Sequence, residues 1–220
     1  CTVNRLTCES PLEVYRTLRD LNTGWIQFIP VVNKNDNGEV NTDSVTARGY
    51  GNFLCEVFKE WVLNDLGKSE VQFFTELLNL YLGGNASVCW LQETCGNVPV
   101  IEADGSVYAC DHFVKREYLL GSVKDRSLKE FMESPQQLEF GNGKRDDLSE
   151  RCKKCRYLKY CHGGCKKDRI NGENYLCEGL LEFYEYSHRT YERIRVLALK
   201  GKTAEQIRHY LNLERKQLFT

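Results

Sequence analysis

Four cysteines, Cys152, Cys155, Cys161 and Cys165, fall within the single run CKKCRYLKYCHGGC. Thiols at such density do one of three things: they pair as disulfides, cage a zinc ion, or ligate an iron–sulfur cluster. The chain holds 11 cysteines, an odd number, so complete pairing within one chain is impossible, and in a reducing compartment this density points to metal. Cys1, Cys8 and Cys55 are scattered, whereas the other eight lie between Cys89 and Cys177. A zinc site takes four Cys or His ligands and a 4Fe-4S cluster up to four thiolates, so these cysteines make two complete sets of either kind. CKKC alone reads as a zinc knuckle, and His162 offers a Cys3His alternative. The looser step from Cys161 to Cys165 and the distant Cys177 do not pair off as two knuckles, which brings iron back into contention. Gly163 and Gly164 let the backbone bend tightly around whatever the sulfurs hold.

Composition bounds the molecule that carries them. With 220 residues, 41% hydrophobic and 11% aromatic, the chain can bury a core without disulfide staples. A net charge of -1, from 30 basic and 31 acidic side chains, provides no basic field for nucleic acid or an anionic membrane, and both partners are discounted. No apolar run reaches the roughly 18 residues of a membrane helix, and CTVNRLTCES has no signal-peptide pattern. The expectation is a soluble, cytoplasmic protein. The chain begins at Cys1 and holds one methionine, Met132, and it is read as a piece of a longer protein.

The fold class expected is α/β. In the first part, residues 1–88, Thr2 to Asn4 reads as a short strand. Ser10 to Glu13 reads as a capping box with Pro11 at the first helical position, opening a helix with Leu12, Tyr15, Leu18 and Leu21 on one face. Trp25 to Val32 is a nearly continuous apolar run, expected to be a strand covered on both faces. After the polar loop NKNDNGEVNTDS, Phe53, Val57 and Trp61, with Leu54 and Phe58 beside them, predict a helix of about twenty residues. Val71 to Phe74 reads as a further strand before a helix through Leu78 and Leu82. A boundary is expected at residues 83–87. Beyond it, VPVIEADGSVYAC predicts a β-hairpin around 103–106, with Cys95 before it and Cys110 at its end. SLKEFMES opens with a capping box at Ser127, the cluster from Cys152 to Cys165 is placed on loops, and helices from about Glu178 to Lys200 and from Thr203 close the chain. Cys55 reads as a buried structural thiol, Tyr184, Tyr191 and Ile194 as packing, and Lys166, Lys167 and Arg169 as solvated, or as compensating a cluster's charge.

The whole cysteine pattern runs Cys95-x9-Gly105-x4-Cys110, then Cys152-x2-Cys155-x5-Cys161-x3-Cys165, then Cys177. It closely resembles the seven-cysteine signature of the SPASM extension of radical S-adenosylmethionine enzymes, over about residues 89–180. Cys89 adds the eighth cysteine seen in the anaerobic sulfatase-maturating enzymes, and VNRL, PLEVYRTLRDL and WIQFIPVV resemble the late barrel segment of that family.

The resemblance implies the C-terminal strands and helices of a partial (β/α) barrel (1–88), a SPASM domain with a β-hairpin (89–180), and terminal helices (181–220). It implies two auxiliary 4Fe-4S clusters, one on Cys89, Cys95, Cys110 and Cys165, the other on Cys152, Cys155, Cys161 and Cys177. It places the family's general base at Asp111, directly after Cys110; from local sequence alone, Asp111 is a turn or cap residue. The implied activity is oxidation of a sulfatase's active-site Cys or Ser to formylglycine. The implied partners are the sulfatase polypeptide and a reductant such as a flavodoxin or ferredoxin. The radical motif Cys-x3-Cys-x2-Cys is absent from these residues, so S-adenosylmethionine and a third 4Fe-4S cluster are expected only in the full-length enzyme, and this chain alone is expected to be inactive. Two further readings stay open: a SPASM maturase of another peptide, and a zinc-stabilised interaction module.

Overall fold

The computed structural model describes residues 1–35 and 37–219; Asp36, within the polar loop expected at NKNDNGEVNTDS, lies outside the described residues. The chain divides into two compact units, one of residues 1–86 with 175–220 and the other of 87–174.

The first unit starts with β1 (Thr2–Val3) and α1 (Pro11–Asp20), with Pro11 at the helix start. The capping box expected at Ser10 does not form. A preceding 3-10 turn, Thr7–Glu9, engages the Ser10 amide, and its side chain caps nothing. Of the predicted helix face only Tyr15 is fully buried; its hydroxyl donates to Asp65 Oδ2 at 2.9 Å.

The apolar run that follows forms two short strands, β2 (Trp25–Ile26) and β3 (Ile29–Pro30), in one extended segment. Ile29 and Val31 donate to the carbonyls of Cys1 and Val3, whereas the Gly24 carbonyl accepts from Glu70. Alternate residues thus bond opposite ways, and β1 and β4 (Glu70–Val71) flank opposite edges, both parallel to the segment. Ile26, Phe28 and Val32 are buried, Phe28 edge-on to Phe53 at 5.0 Å, whereas Trp25 and Ile29 are 48% and 42% exposed. The expectation of a strand covered on both faces is therefore corrected: among the described residues the helices cover one face, and the other carries apolar side chains into the open.

Thr46 caps α2 (Ala47–Glu60), and a π turn, Trp61–Asp65, extends it to the predicted length. Phe73 and Phe74 are helical, in α3 (Gln72–Tyr81), so the strand expected over 71–74 stops at Val71. A short apolar run is ambiguous between strand and buried helix, and here packing decides.

The second unit holds an antiparallel sheet of β5 (Val100–Ile101), β6 (Ser106–Tyr108) and β7 (Leu119–Ser122), in that order; β7 had no sequence expectation. Val107, Ala109 and Leu120 pack with Phe131 and Phe140 in its core. Phe131 comes from α4 (Leu128–Met132), opened by a capping box between Ser127 and Glu130. Phe140 comes from α5 (Pro135–Asp146), capped by Ser134. The expectation that Cys152 to Cys165 sit on loops is corrected in part: Cys152 lies in α6 (Glu150–Lys153) and Cys161 ends α7 (Leu158–Cys161), with Cys155 and Cys165 in the connections. A short pair, β8 (Arg169–Ile170) and β9 (Glu173–Asn174), completes the unit.

The chain then returns to the first unit with α8 (Cys177–Leu199) and α9 (Ala204–Leu218), the latter capped by Thr203. Phe183 and Tyr191 of α8 meet Phe58 at 5.6 and 4.9 Å between ring centres, and Tyr191 donates to the Phe74 carbonyl at 3.1 Å. Backbones of α2 and α8 touch at Gly51 and Gly179: a Cβ on Gly51 would sit 2.7 Å from Gly179 Cα, and one on Gly179 would overlap the Ala47 carbonyl. Since neither backbone can yield locally, Gly179→Ala is expected to cost about 3 kcal/mol or more, the upper range of core overpacking. Denaturant unfolding checks this; a midpoint equal to the parent's would show that the helices do not approach so closely.

Candidate metal centre

The sulfur-bearing segments of the second unit are set by turns and caps. A 3-10 turn, Cys89–Leu91, carries Cys89, and the Cys95 amide donates to Gly141 O in α5 at 3.1 Å. Cys110 follows β6 and opens a second 3-10 turn, Asp111–Phe113. Gln137 Nε2, buried, donates to Ala109 O at 3.1 Å and so fixes the backbone just before Cys110. Ser149 caps α6 through the Cys152 amide at 3.1 Å.

Between Cys161 and Cys165 the backbone is left-handed at His162, Gly163 and Gly164, with φ of 45°, 72° and 62°. A Cβ on Gly163 would meet Leu148 and Arg169, and one on Gly164 would meet Asn174, so the two glycines serve both the turn and its close packing.

All the cysteines are free thiols. Four of them act on one another in a chain. The Cys89 sulfur contributes to raising the pKa of Cys95 and of Cys165, and Cys165 does the same to Cys110. Burial is the main cause in each case, pushing Cys110 up to about 12 and Cys165 up to about 11. Cys95, Cys110 and Cys165 are thus neutral without metal, and a bound cation must displace their protons. The Cys110 thiol donates to Asp111 Oδ1 at 3.2 Å. Asp111 itself is exposed, with His112 Nδ1 at 3.9 Å from Oδ2.

Cations face the sulfurs from inside the unit. Lys144, fully buried, feels Cys95, Cys89 and Cys161, and burial pulls its pKa down to about 8. Arg169, whose pKa burial lowers, feels Cys152, Cys95 and Cys161. It donates to the carbonyls of His162, Gly163 and Lys144 at 3.0, 3.1 and 2.6 Å. Lys166 lies over Phe140 at 4.6 Å and donates to its carbonyl, and Lys167 pairs with the buried Asp168. The reading of these three as solvated is therefore corrected: each is partly buried and spends its donors on the protein. Sequence reasoning did not single out Lys144 or Gln137, because a lysine within GNGKRD and a glutamine within PQQLE carry no signal of burial.

The remaining candidates separate cleanly. Cys155 and His162 line a cleft of about 440 Å³ with Arg145, Arg156 and Lys159. Cys177 opens α8 in the first unit. Cys55 is buried within α2, its pKa pushed up to about 12, as a structural thiol. Among the described residues, no group of three His, Cys, Asp or Glu side chains is arranged to hold a single metal ion, and His162 completes no such set. Thiols that sense one another, cations buried beside them and freedom from disulfides fit a thiolate-held, net-anionic group larger than one ion.

Comparison with known proteins places residues 89–156 under the SPASM iron–sulfur cluster-binding domain. Over 84% of its length the chain is 35% identical to a serine-type anaerobic sulfatase-maturating enzyme of Bacteroides thetaiotaomicron, of which it covers 50%. It is 32% identical to a cysteine-type enzyme of Clostridium perfringens, covering 85% of this chain and 53% of that one. The structure of native anSMEcpe with bound AdoMet and the Kp18Cys peptide superposes with a TM-score of 0.77 at 30% identity, over 89% of this chain and 56% of that one. The chain spans about half the length of the curated relatives it matches. Among the described residues, no helix is long and apolar enough to cross a membrane.

Proposed function

We propose that this chain, which resembles the C-terminal part of the anaerobic sulfatase-maturating enzymes, is the auxiliary-cluster half of a radical S-adenosylmethionine enzyme that converts a sulfatase's active-site Cys or Ser to formylglycine. The observation that carries the reading is the proximity by which Cys89 acts on Cys95 and Cys165, and Cys165 on Cys110, around the span that matches the SPASM domain. These four are the proposed ligands of one 4Fe-4S cluster. Cys152, Cys155 and Cys161 are the proposed ligands of the other, with Cys177 as the fourth member of that set, as the family resemblance implies. Residues 1–88 are read as late strand-helix units of a (β/α) barrel, 89–180 as the SPASM domain, and 181–220 as terminal helices. The exposed apolar face at Trp25 and Ile29 is what a sheet shows when the rest of its barrel lies elsewhere. The proposed setting is the cytoplasm, with a flavodoxin or ferredoxin as reductant and neither nucleic acid nor membrane as partner.

When bound, the clusters would supply one-electron acceptors. The residues of this chain do the rest. The thiolates hold the clusters. Lys144 and Arg169 offset their charge from within. Asp111, exposed and acceptor-only when ionised, takes the proton from the substrate's thiol or hydroxyl as an electron departs, once a hydrogen atom has been removed from the neighbouring carbon. Cofactor cleavage needs the radical motif, which the full-length protein must contribute.

Anaerobic reconstitution of the chain tests this reading. Close to eight irons per chain and broad absorption near roughly 400 nm are expected from two clusters, with no release of 5'-deoxyadenosine. Stoichiometric zinc without iron uptake would replace the proposal with a zinc-stabilised module. Activity of the full-length protein on a different peptide, but on no sulfatase peptide, would keep the clusters and change the substrate.

A further inference from the structure

Lys144 presents an unsolved charge problem. Its side chain is fully buried, and its ammonium donates to the carbonyls of Cys89 at 2.8 Å, Trp90 at 3.2 Å and Gln92. All three of its N–H donors are thereby spent on the one turn that carries Cys89. Among the described residues it has no carboxylate partner. A buried cation without a counter-charge costs several kcal/mol, and carbonyl dipoles offset only part of that. The Lys144 carbonyl in turn accepts from Arg169, which also holds the carbonyls of His162 and Gly163 in the turn between Cys161 and Cys165. The buried Lys144 on α5 and the partly buried Arg169 on β8 thus tie together the backbones that present Cys89, Cys161 and Cys165, and among the described residues the only groups beside Lys144 that can become its counter-charge are the cysteine sulfurs.

We propose that Lys144 is a positioning residue whose counter-charge is the thiolate-held cluster itself: it fixes the Cys89 turn in ligating geometry and stabilises the cluster's more negative, reduced state. The proposal rests on the cluster reading above and deepens it. A 4Fe-4S core held by four thiolates is net anionic and gains one further negative charge on reduction, so a fixed ammonium beside it favours the reduced form. Lys144 touches neither substrate nor reacting atoms, and it acts through Cys89.

The test uses the full-length protein, reconstituted anaerobically, with Lys144→Met, Lys144→Gln and Lys144→Arg, read by iron content and by potentiometric titration of the auxiliary clusters. For the Met and Gln variants the expected result is, at a fixed poise, about a tenfold lower ratio of reduced to oxidised form in one auxiliary cluster. This equals about 59 mV for a one-electron couple. In the Met variant, which also loses the three hydrogen bonds, up to about four of roughly eight irons are expected to be lost. Lys144→Arg keeps the charge and should restore both readouts. If Lys144→Met does not fold, Lys144→Gln decides, since its amide still donates to the turn without carrying charge. Wild-type potential and iron content in the Gln variant would overturn the proposal, as would an Arg variant as defective as Gln. Failure of the parent protein to bind iron would instead overturn the cluster reading, so the two failures are distinct.

Discussion

Formylglycine production by the full-length protein is expected to fall by about a hundredfold or more in Asp111→Asn, while cleavage of S-adenosylmethionine continues. The variant keeps the side chain's size and an acceptor oxygen but removes its basicity, and lost general-base catalysis is typically worth about 10²–10⁴ in rate. The placement of Asp111 makes the substitution clean. Its carboxylate is exposed, sits at the start of a 3-10 turn, and accepts within the chain from the Cys110 thiol, a bond that would change anyway if metal binding displaced that proton. Cys110→Ser is the control: loss of this proposed ligand is expected to lower iron content, whereas the Asp change is expected to leave it unaltered. Should Asp111→Asn retain product formation within about threefold, well inside the general-base range, Asp111 is a turn residue and the base lies elsewhere.

Stripping the iron is expected to loosen residues 87–174 while leaving the first unit folded. The second unit's core is small, built on Val107, Ala109, Leu120, Phe131 and Phe140, and its strands are two to four residues long. It also buries Lys144, whose charge the metal-free state leaves unanswered. Structural metal binding contributes on the order of 10 kcal/mol, so its removal exceeds what such a core supplies. The first unit is held differently, by Phe58, Trp61, Phe74, Phe183 and Tyr191 packed ring against ring. In hydrogen exchange, amides of β5 to β7 and of α5 should lose at least about a hundredfold of protection on chelation, an opening energy lower by ~2.7 kcal/mol. Amides in the middle of α2 and α8 should change by less than about threefold. Equal protection of β6 with and without metal would refute this dependence.

What could be read from the sequence was whatever a spacing or a period encodes. The helical face of Phe53, Val57 and Trp61, and the long helix after Cys177, are strongly periodic, and they appear within a residue or two of expectation. Ser127 and Thr203 carry capping boxes as their Ser-x-x-Glu and Thr-x-x-Gln patterns indicate. The same pattern at Ser10 fails because a 3-10 turn reaches that residue first, a local competition that the four-letter pattern does not contain. Phe73 and Phe74 are helical against the strand their sequence suggests, because apolar pairs suit a strand and a buried helix equally. The cysteine spacing made the candidate ligands visible one by one, yet the side chains around them stayed hidden. Lys144, Lys166 and Arg169 look like ordinary surface cations in sequence, and only the fold turns them inward.

The first unit is discontinuous: α8 and α9 pack with residues 1–86, and everything between them forms the second unit. This imposes an order on events at the ribosome. The stretch from Cys89 to Cys165 leaves the exit tunnel before Phe183 and Tyr191 are available to cover Phe58 and Phe74, and before Gly179 can seat on Gly51. At about 5–20 residues per second, residues 175–220 take roughly 2–9 s to be added. Over that interval the thiols of the second unit emerge one after another, each ahead of the helix that begins with Cys177. Synthesis of the second unit and closure of the aromatic core are therefore sequential, and a nascent chain that stalls before α8 leaves the aromatic faces of α2 and α3 uncovered.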